Sequence, residues 1–575
     1  MKLSSYDILI QRRTHMRKLI IKGNHIASIH LYHGPTAPEQ YAAKELAAYL
    51  YSLAGITTNG TYPVTLKIEE SIGRDGYRIQ ISRENGLTIS GGNGRGVIYG
   101  VYGFLETYAG MRFFMPDLET EGEGDILVNE GCEYVPFFEQ RHFYYPVFQT
   151  NAWCLKRGIN HRITEDLPEE IGGGVNYAPG MWCHSMQLLT GADQENKQPC
   201  LSDPALLAPA IGKIRKILEA NPHTRIISVS MNDNKKYCQC EKCAAIDAEE
   251  GSHMGTLLRF VNAIADDIAK DYPDIIVDTI AYHYSRVPTR ITRPRPNVCI
   301  RYCTISACFA HALDEDCCGY NQEFKEELTG WCGIHDRVYV WDYIVNFSHY
   351  IPPYPNFEAL RRNMRFFADH GVKGIFSQGY GESPNSGEFH ELRAYLTSKL
   401  QWNPFMTEEE YYGHMDEFLA AYYGAGWKNI RFFIDWTTKE ARKHYMKCYF
   451  KPFQIIDRES YANAEETIDA WWTNAEALAG DRLEYVKRAK MQWRYIKLML
   501  HPDQKEGEAF YNDIVKWNIQ WRENTLLPND PGDFGDQPVD WWNDGDLPWL
   551  TPEEKQHQAD IKQARAERAK LGKSI

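Results

Sequence analysis

The sequence predicts an α/β protein in three parts: a small α/β domain, a (β/α)8 TIM barrel and a helical C-terminal region. Strands and helices alternate irregularly in the first part, short apolar runs alternate with amphipathic helices in the second, and helical patterns fill most of the third. A chain of 575 residues is also too long for one small core. We therefore place the domains at residues 1–135, 136–405 and 406–575.

The first domain is predicted from strand-like runs around two helices. Thr36 and Glu39 have the spacing of a capping box, and apolar residues recur every three or four positions from Ala43 to Leu53, which indicates one buried helical face. The later stretch GGNGRGVIYG does not fit the G-x-G-x-x-G pattern of dinucleotide-binding proteins. We interpret it as a tight turn from a strand into a helix.

The second domain contains six apolar runs that suit the buried strands of a parallel sheet. They are RHFYYPVF, RIISVSM, IIVDTIAYHY, NVCIRYCTI, RVYVWDYIV and VKGIFSQGY. Two weaker candidates, near residues 155–162 and 172–186, raise the number to eight, and amphipathic helices lie between several of the runs. Eight strands that alternate with helices close naturally into a barrel.

The third part is mostly helical. Its strongest patterns are EEEYYGHMDEFLAAYYG and DAWWTNAEALAGDRLEYVKRAKMQWRYIKLML. A polar stretch with a charged final helix follows from about Pro528, so we expect a helical region with a polar tail.

Composition and charge exclude several classes of function. The net charge of −14 argues against nucleic-acid binding, which needs a basic face. No run approaches the 18 consecutive apolar residues of a membrane span, and the first residues lack the apolar core of a secretory signal. We therefore expect a cytoplasmic protein with no membrane partner and no organic cofactor; the sequence also allows a homo-oligomer.

The aromatic content is 13%, with 15 Trp and 36 Tyr. Flat apolar faces with polar edges suit stacking on sugar rings, and they suit large cores and interfaces equally well. No G-x-S-x-G, Walker A or H-E-x-x-H motif is present in the sequence. Composition therefore permits a carbohydrate partner without requiring one.

Polar and aromatic side chains follow several of the predicted barrel strands, at the end where barrels carry their catalytic groups. Paired carboxylates are what glycoside cleavage needs, because one protonates the leaving oxygen and another group stabilises or attacks the oxocarbenium-like carbon. Either carboxylate could instead be a helix cap or a structural hydrogen-bond partner, and this alternative is weaker for Asp233, beside two amides, than for Asp342. The candidates are Asn232 and Asp233, Tyr282 and His283, Asp342 and Tyr343, and Gln378, Tyr380 and Glu382.

Trp182 and His184 lie in MWCHSM, at the end of one weak strand. Both are candidates for contact with the substrate. A lone histidine is, however, more often a packed structural residue than a ligand-binding one.

Three cysteines within six positions, Cys238, Cys240 and Cys243, form a C-x-C-x2-C cluster. Cysteines in a chain without an export signal should be mostly reduced, so a tight cluster favours a metal site over disulfides. Cys200 is the nearest candidate for a fourth ligand, and Cys183 is the second. We expect a closed structural zinc site, which would hold the loop after the fourth strand and take no part in the chemistry.

The layout resembles that of proteins carrying domain of unknown function 4838, part of which forms glycoside hydrolase family 163. The N-terminal part is also similar to the small α/β domain that precedes the barrel in family 20 hexosaminidases and family 67 α-glucuronidases. The resemblance implies a barrel glycosidase, and the characterised members of the family are endo-β-N-acetylglucosaminidases. It covers residues 20 to 430 and rests on GRGVIYGVYGFLE, QPCLSDPALL, SVSMNDNKKYCQCEKC, TIAYHY, WDYIVNF, YPNFEALRRNMRFFADHGVKGIFSQG and EFHELRAYLTSKLQWNP.

The resemblance also implies roles for two adjacent residues. Families 20 and 84 keep a pair at the end of barrel strand four, where the first member steadies the 2-acetamido group of the substrate and the second is the general acid/base. By this resemblance Asn232 would be the polariser and Asp233 the acid/base. Asparagine departs from the acidic residue of those families, and an amide stabilises a developing oxazolinium charge less than a carboxylate does. The CQCEKC cluster also resembles the zinc site of family 42 β-galactosidases.

Three functions stay open at this point. The first is hydrolysis of a β-linked N-acetylhexosaminide, with N-acetylglucosamine favoured, from an imported oligosaccharide or glycoconjugate, for which the resemblance allows a substrate-assisted retaining mechanism. The second is a glycosidase on a sugar without a 2-acetamido group, such as a uronide, using Asp233 with Asp342 or Glu382. The third is a non-catalytic carbohydrate-binding protein.

Overall fold

The computed structural model describes residues 16–148, 150–162, 166–192, 197–380, 385, 387–520 and 522–523. Its first part places two helices against a five-stranded sheet of order β10-β5-β6-β4-β3. The elements are β1 (Leu19–Ile21), β2 (Asn24–Ile26), β3 (Ser28–His33), α1 (Ala37–Ala54), β4 (Thr57–Ile68), β5 (Tyr77–Ser82), β6 (Gly86–Gly91), α2 (Gly94–Tyr108), β7 (Arg112–Met115), β8 (Leu118–Thr120), β9 (Ile126–Val128) and β10 (Cys132–Tyr134).

The capping box and the glycine-rich turn predicted in this part are both present in the structure. The Thr36 hydroxyl accepts a hydrogen bond from the Glu39 N–H at 3.4 Å, and the Thr36 N–H donates to the Glu39 carboxylate at 3.2 Å, so α1 begins at a capping box. The glycine-rich stretch is a tight strand-to-helix turn: a Cβ on Gly91 would lie 2.0 Å from the backbone nitrogen of Val97, so no larger residue fits there.

The second part is built on six parallel strands in the order β11-β16-β15-β14-β13-β12, with helices between them. Its elements are β11 (Gln140–Tyr144), α3 (Asn151–Lys156), α4 (Met186–Thr190), α5 (Leu207–Ala220), β12 (Ile226–Ser228), α6 (Glu241–Glu250), α7 (Met254–Ile268), β13 (Ile276–Ala281), β14 (Val298–Cys303), α8 (Gly319–Ile334), β15 (Val338–Tyr343), α9 (Phe357–Asp369), β16 (Gly374–Gln378) and α10 (His390–Trp402).

The two weak strands form single parallel bridges instead of regular strands. His161 bridges His142 of β11, and Tyr177 bridges Ile226 of β12. Between these segments the Val175 N–H donates to the carbonyl of Asn160 at 2.9 Å. Since β16 also pairs with β11, backbone hydrogen bonds run right round the ring. The predicted barrel fold is confirmed, with six regular strands and two irregular segments.

A buried acid joins the first part to the barrel. The Asp75 carboxylate accepts hydrogen bonds from Arg95 of α2 at 3.0 Å, from Arg141 of β11 at 2.7 Å and from Asn160 at 2.9 Å. Burial alone would raise the pKa of Asp75, but the two guanidinium groups hold it well below its usual range. The small domain is therefore tied to the barrel by an ionised, fully paired carboxylate.

The third part is helical, and the chain between its helices contacts the loops of the barrel. The Phe347 N–H, in the loop after β15, donates to the Cys448 carbonyl at 2.7 Å, and the Phe309 N–H, after β14, donates to Met446 at 2.7 Å. The third part thus covers the loops at the C-terminal end of the barrel strands. Its helices are α11 (Glu408–Tyr423), α12 (Trp427–Ala441), α13 (Pro452–Ile455), α14 (Arg458–Leu478), α15 (Leu483–Leu500) and α16 (Gln504–Trp517).

The predicted polar tail lies outside the described residues. The exact domain limits at 135 and 405 stay predictions. Within the described ranges, no helix combines the length and the apolarity that crossing a membrane requires.

Candidate active site

A cavity of about 110 Å³ opens where the barrel strands end. Strand ends from β13 to β16 supply much of its wall, which is the position of the active site in barrel enzymes. The lining residues are His184, Asp233, Ile280, Tyr282, Cys303, Ile305, Trp341, Tyr343, Gln378, Tyr449 and Glu523.

Asp233 reaches this cavity from the chain that follows β12, and its side chain is exposed. Its neighbour is Tyr282, which follows β13. Burial raises the pKa of the Tyr282 phenol, and the nearby Asp233 carboxylate raises it further. Tyr282 therefore stays protonated as a hydrogen-bond donor beside an accessible carboxylate.

Asn232 is placed differently. Its side chain is fully buried, its Oδ1 accepts from the Gln187 N–H at 3.1 Å, and its Nδ2 donates to the Lys197 carbonyl at 3.1 Å. The amide is thus used to hold the backbone of the segment around α4, and it is absent from the cavity lining. This placement does not favour the polariser role that the resemblance implies.

Aromatic rings form one wall. The indole of Trp341 lies 5.8 Å from the ring of Tyr343 at an interplanar angle of 10°, and 4.7 Å from Trp182. Its Nε1 donates to the Gln378 side-chain oxygen at 2.7 Å, which fixes the orientation of both groups. Trp341, Tyr343 and Gln378 line the cavity, whereas Trp182 contacts Trp341 and is absent from the lining. A flat apolar surface edged by an amide suits one face of a sugar ring.

Two histidines stand at the same end of the barrel with left-handed backbone conformations. His184, with φ of 49°, lines the cavity, and its Nδ1 lies 2.8 Å from the Met231 carbonyl, so this nitrogen carries the proton. Burial lowers the pKa of His184. His283, with φ of 50°, packs on the Tyr282 ring at 3.7 Å and is outside the cavity lining; burial lowers its pKa to about 4.

Two of the remaining candidates, Asp342 and Tyr380, are absent from the cavity lining. The Asp342 carboxylate is buried and accepts hydrogen bonds from the Thr304 hydroxyl at 2.8 Å and the Tyr343 N–H at 3.2 Å. Its neighbours Trp341 and Tyr343 face the cavity, so the strand alternation turns Asp342 to the other side. Burial raises the pKa of Asp342 to about 6. Tyr380 is buried against Tyr350, and Glu382 lies outside the described residues.

Six of the lining residues were not predicted, and four of them, Ile280, Cys303, Ile305 and Trp341, lie in barrel strands or just after one. Glu523 and Tyr449 come from the helical third part, and the Tyr449 hydroxyl donates to the Glu523 carboxylate at 3.3 Å. Both lie outside any barrel strand, so the strand-end rule could not select them. No motif in the surrounding sequence marks either residue.

The four predicted cysteines meet at one point. Cys200 Sγ lies 3.6 Å from Cys240 Sγ and 3.8 Å from Cys243 Sγ, and the four sulfurs, with that of Cys238, lie within 4.8 Å of one another. A tetrahedral zinc ion with Zn–S bonds of about 2.3 Å requires sulfurs about 3.8 Å apart. Hydrogen bonds from the Cys243 N–H and the Ser202 hydroxyl lower the pKa of Cys240 to about 6. The donor set fits a closed, structural zinc site.

The sequence model of a family described as Domain of unknown function (DUF4838) matches residues 158–435. The chain carries a DUF4838 domain. The matched residues run from the second segment of the barrel ring to α12, so the DUF4838 domain contains Asp233, the aromatic wall and the four cysteines. The predicted resemblance is thereby confirmed. No curated protein sequence matches this chain.

Solved structures of glycoside hydrolases are similar to the chain that carries this DUF4838 domain. A family GH115 4-O-methyl-α-glucuronidase with specificity for decorated arabinogalactans has a TM-score of 0.56 at 12% identity, covering 87% of this chain and 76% of its own. A β-N-acetylhexosaminidase from Bacteroides fragilis has a TM-score of 0.40 at 11% identity, covering 69% and 92%. The likeness to the first structure is one of fold, and it agrees with the barrel described above.

Proposed function

We propose that this protein is a glycoside hydrolase and that Asp233 is its general acid/base. The observation that carries the proposal is the cavity at the barrel mouth, which Asp233 lines together with the aromatic wall. A carboxylic acid there can protonate the glycosidic oxygen as the bond to the anomeric carbon breaks. The phenol of Tyr282 beside it supplies a fixed donor that orients the carboxylate.

The charges of the cavity favour a neutral sugar. Among the described residues of its lining there is no lysine or arginine, and His184 has a lowered pKa, so the carboxylate of a uronic acid would meet Asp233 and Glu523 without a cation. Like charges that face one cavity repel each other. This argues against the uronide alternative, although the GH115 structure of similar fold belongs to a glucuronidase.

A β-linked N-acetylhexosaminide remains the first substrate to test. The acetamide-assisted mechanism needs a polariser in the cavity, and Asn232 is buried elsewhere. A mechanism with two carboxylates therefore suits the geometry better, and it would act on neutral sugars with or without a 2-acetamido group.

The experiment compares Asp233→Asn with the wild type on aryl glycosides of N-acetylglucosamine, N-acetylgalactosamine, glucose, galactose and glucuronic acid. We expect kcat/KM on the active neutral sugar to fall by about 10²–10⁴-fold, the usual contribution of a general acid. The fall should be larger for phenyl than for dinitrophenyl glycosides, because a poor leaving group needs the proton more.

Asp274→Asn is the matched control, since Asp274 is exposed in the chain before β13, at the other end of the barrel. Full activity of Asp233→Asn on both leaving groups would contradict the proposal. A protein that binds sugars but cleaves none of the glycosides would instead be the non-catalytic binding protein.

We also propose that Cys200, Cys238, Cys240 and Cys243 hold a structural zinc ion. Gln198, two residues before Cys200, binds the backbone of Asn232 at 2.7 Å. A zinc ion would thus clamp the two chain segments that position Asp233. The cytoplasmic location and the oligomeric state stay predictions.

A further inference from the structure

Four described residues that follow α16 lie at the mouth of the barrel. We call these residues, Ile519, Gln520, Arg522 and Glu523, the mouth strap. Ile519 forms a parallel bridge with Asn385, and Ile519 and Gln520 are fully buried. Buried residues anchor this segment, so the side chains at its end have defined positions.

The end of the mouth strap is fixed to a barrel loop. The Glu523 N–H donates to the carbonyl of Phe347, in the loop after β15, at 2.9 Å. Tyr449 packs its ring 5.6 Å from Phe347 and donates its hydroxyl to the Glu523 carboxylate at 3.3 Å. One backbone and one side-chain hydrogen bond therefore hold Glu523 in the cavity wall.

Glu523 and Asp233 enter the cavity from different sides. Asp233 follows β12, whereas Glu523 is attached to the loop after β15, and β13 and β14 lie between these strands in the sheet. Among the described residues of the lining, these two are the carboxylates. Separated carboxylates that face one small cavity are the arrangement that two-carboxylate glycoside cleavage requires.

We propose that Glu523, carried into the barrel by the mouth strap, is the second catalytic carboxylate and acts as the general base. This inference rests on the proposed function. It assigns to the third part of the chain a catalytic group that the DUF4838 domain alone, residues 158–435, does not contain.

The proposed reaction is a hydrolysis of the glycosidic bond. Glu523 takes a proton from a water molecule as the water oxygen bonds to the anomeric carbon; the glycosidic carbon–oxygen bond breaks, and Asp233 gives its proton to the leaving oxygen. Exchange with solvent then returns a proton to Asp233 and removes one from Glu523. The Glu523 side chain is only partly buried and Tyr449 is 48% exposed, so water reaches the base.

The test measures Glu523→Gln on the best neutral aryl glycoside found for the wild type. We expect kcat to fall by about 10²–10⁴-fold, the usual contribution of a general base. KM should stay within about threefold, because glutamine keeps the shape of the side chain while losing its basicity. Formate should restore part of the activity of Glu523→Ala by replacing the missing carboxylate. The first sugar product, followed by NMR, should be the inverted anomer.

Tyr449→Phe tests the positioning of the base. Loss of the hydroxyl donor should move the acidic limb of the wild-type kcat profile to higher pH, because the carboxylate loses a hydrogen bond that stabilises its charged form. Glu466→Gln, on the exposed face of α14, is the matched control and should change neither kcat nor the profile.

The outcomes separate the two proposals. If Asp233→Asn is inactive while Glu523→Gln keeps more than about a third of the wild-type kcat, the role of Glu523 is overturned and the glycosidase proposal stands. A retained anomer as first product would also overturn the base role. If Asp233→Asn keeps full activity, the proposed function itself fails.

Discussion

The side chain of Gln198 holds the backbone of Asn232 by two hydrogen bonds. Its Oε1 accepts from the Asn232 N–H at 3.0 Å, and its Nε2 donates to the Asn232 carbonyl at 2.7 Å. With the Asn232 amide bound to Gln187 and Lys197, the residue before Asp233 is fixed through both its backbone and its side chain. Asn232 thus positions the acid/base candidate and stays out of the cavity.

This arrangement predicts the effect of Asn232→Asp. If Asn232 were the acetamide polariser, an aspartate would restore the acidic residue of families 20 and 84 and raise turnover of N-acetylhexosaminides. We expect the reverse: the new carboxylate oxygen would face the Lys197 carbonyl without a proton to donate, at a cost of about 1–3 kcal/mol. Thermal melting should occur at a lower temperature, and kcat/KM for an aryl N-acetylglucosaminide should not rise.

Asn234→Asp is the matched control, because it introduces the same negative charge two residues further along the chain. The Asn234 Oδ1 accepts from the Lys236 N–H at 2.9 Å and from the Gln198 amide at 3.2 Å, and a carboxylate can accept both bonds. Because both of these bonds are kept, we expect a smaller fall in the melting temperature for Asn234→Asp than for Asn232→Asp. An Asn232→Asp protein that is stable and more active on N-acetylhexosaminides would refute the positioning role.

Much of the fold could be predicted from sequence because its signals are local. The capping box at Thr36 and the buried stripe of α1 lie within one helix, and each parallel strand is a short apolar run. The segments around His161 and Tyr177 were weak in sequence for a physical reason: each contributes a single bridge, so no run of apolar residues is needed. Ring closure there depends on backbone hydrogen bonds, which any residue can make.

The site could be predicted only in part. Asp233, Tyr282 and Tyr343 face the cavity because they follow the strand-end rule. Asp342 follows the same rule but projects to the other face, and only the register of β15 decides this. Glu523 reaches the cavity through contacts between distant parts of the chain, for which the sequence carries no local pattern.

The cysteine cluster predicts that each chain binds one metal ion. We expect purified protein to contain one zinc per chain, and Cys200→Ser to lose most of it, because three sulfurs leave one tetrahedral position unfilled. Elemental analysis checks this. Removal of the metal should lower the melting temperature and weaken activity through the disturbed Asp233 segment.

Cys332→Ser is the control, since Cys332 lies in α8 and outside the cluster. Its zinc content should equal that of the wild type. A protein that is free of metal, fully folded and as stable as one refolded with zinc would rule the structural role out.

Two buried histidines predict a loss of stability in acid. His142 and His161 lie with ring centroids 4.1 Å apart inside the barrel, and both rings are buried. Burial, helped by the charge of Arg301, lowers the pKa of His161 to about 3, and burial lowers the pKa of His142 as well. Both rings are therefore neutral in the folded protein at neutral pH.

The direction in which stability changes with pH follows from the pH at which each state binds the proton. The unfolded chain binds a proton to His161 near pH 6.5 and the folded protein does so only near pH 3, so stability is complete above pH 6.5 and is lost as the pH falls below it. At pH 5 the loss from His161 is about 2 kcal/mol. Urea unfolding of His161→Phe should show a drop in the free energy of unfolding between pH 8 and pH 5 that is smaller by this amount. The comparison at pH 8, where the histidine is neutral in both states, isolates any change in packing. An equal drop in the two proteins would mean that His161 binds a proton in the folded barrel as readily as in the unfolded chain.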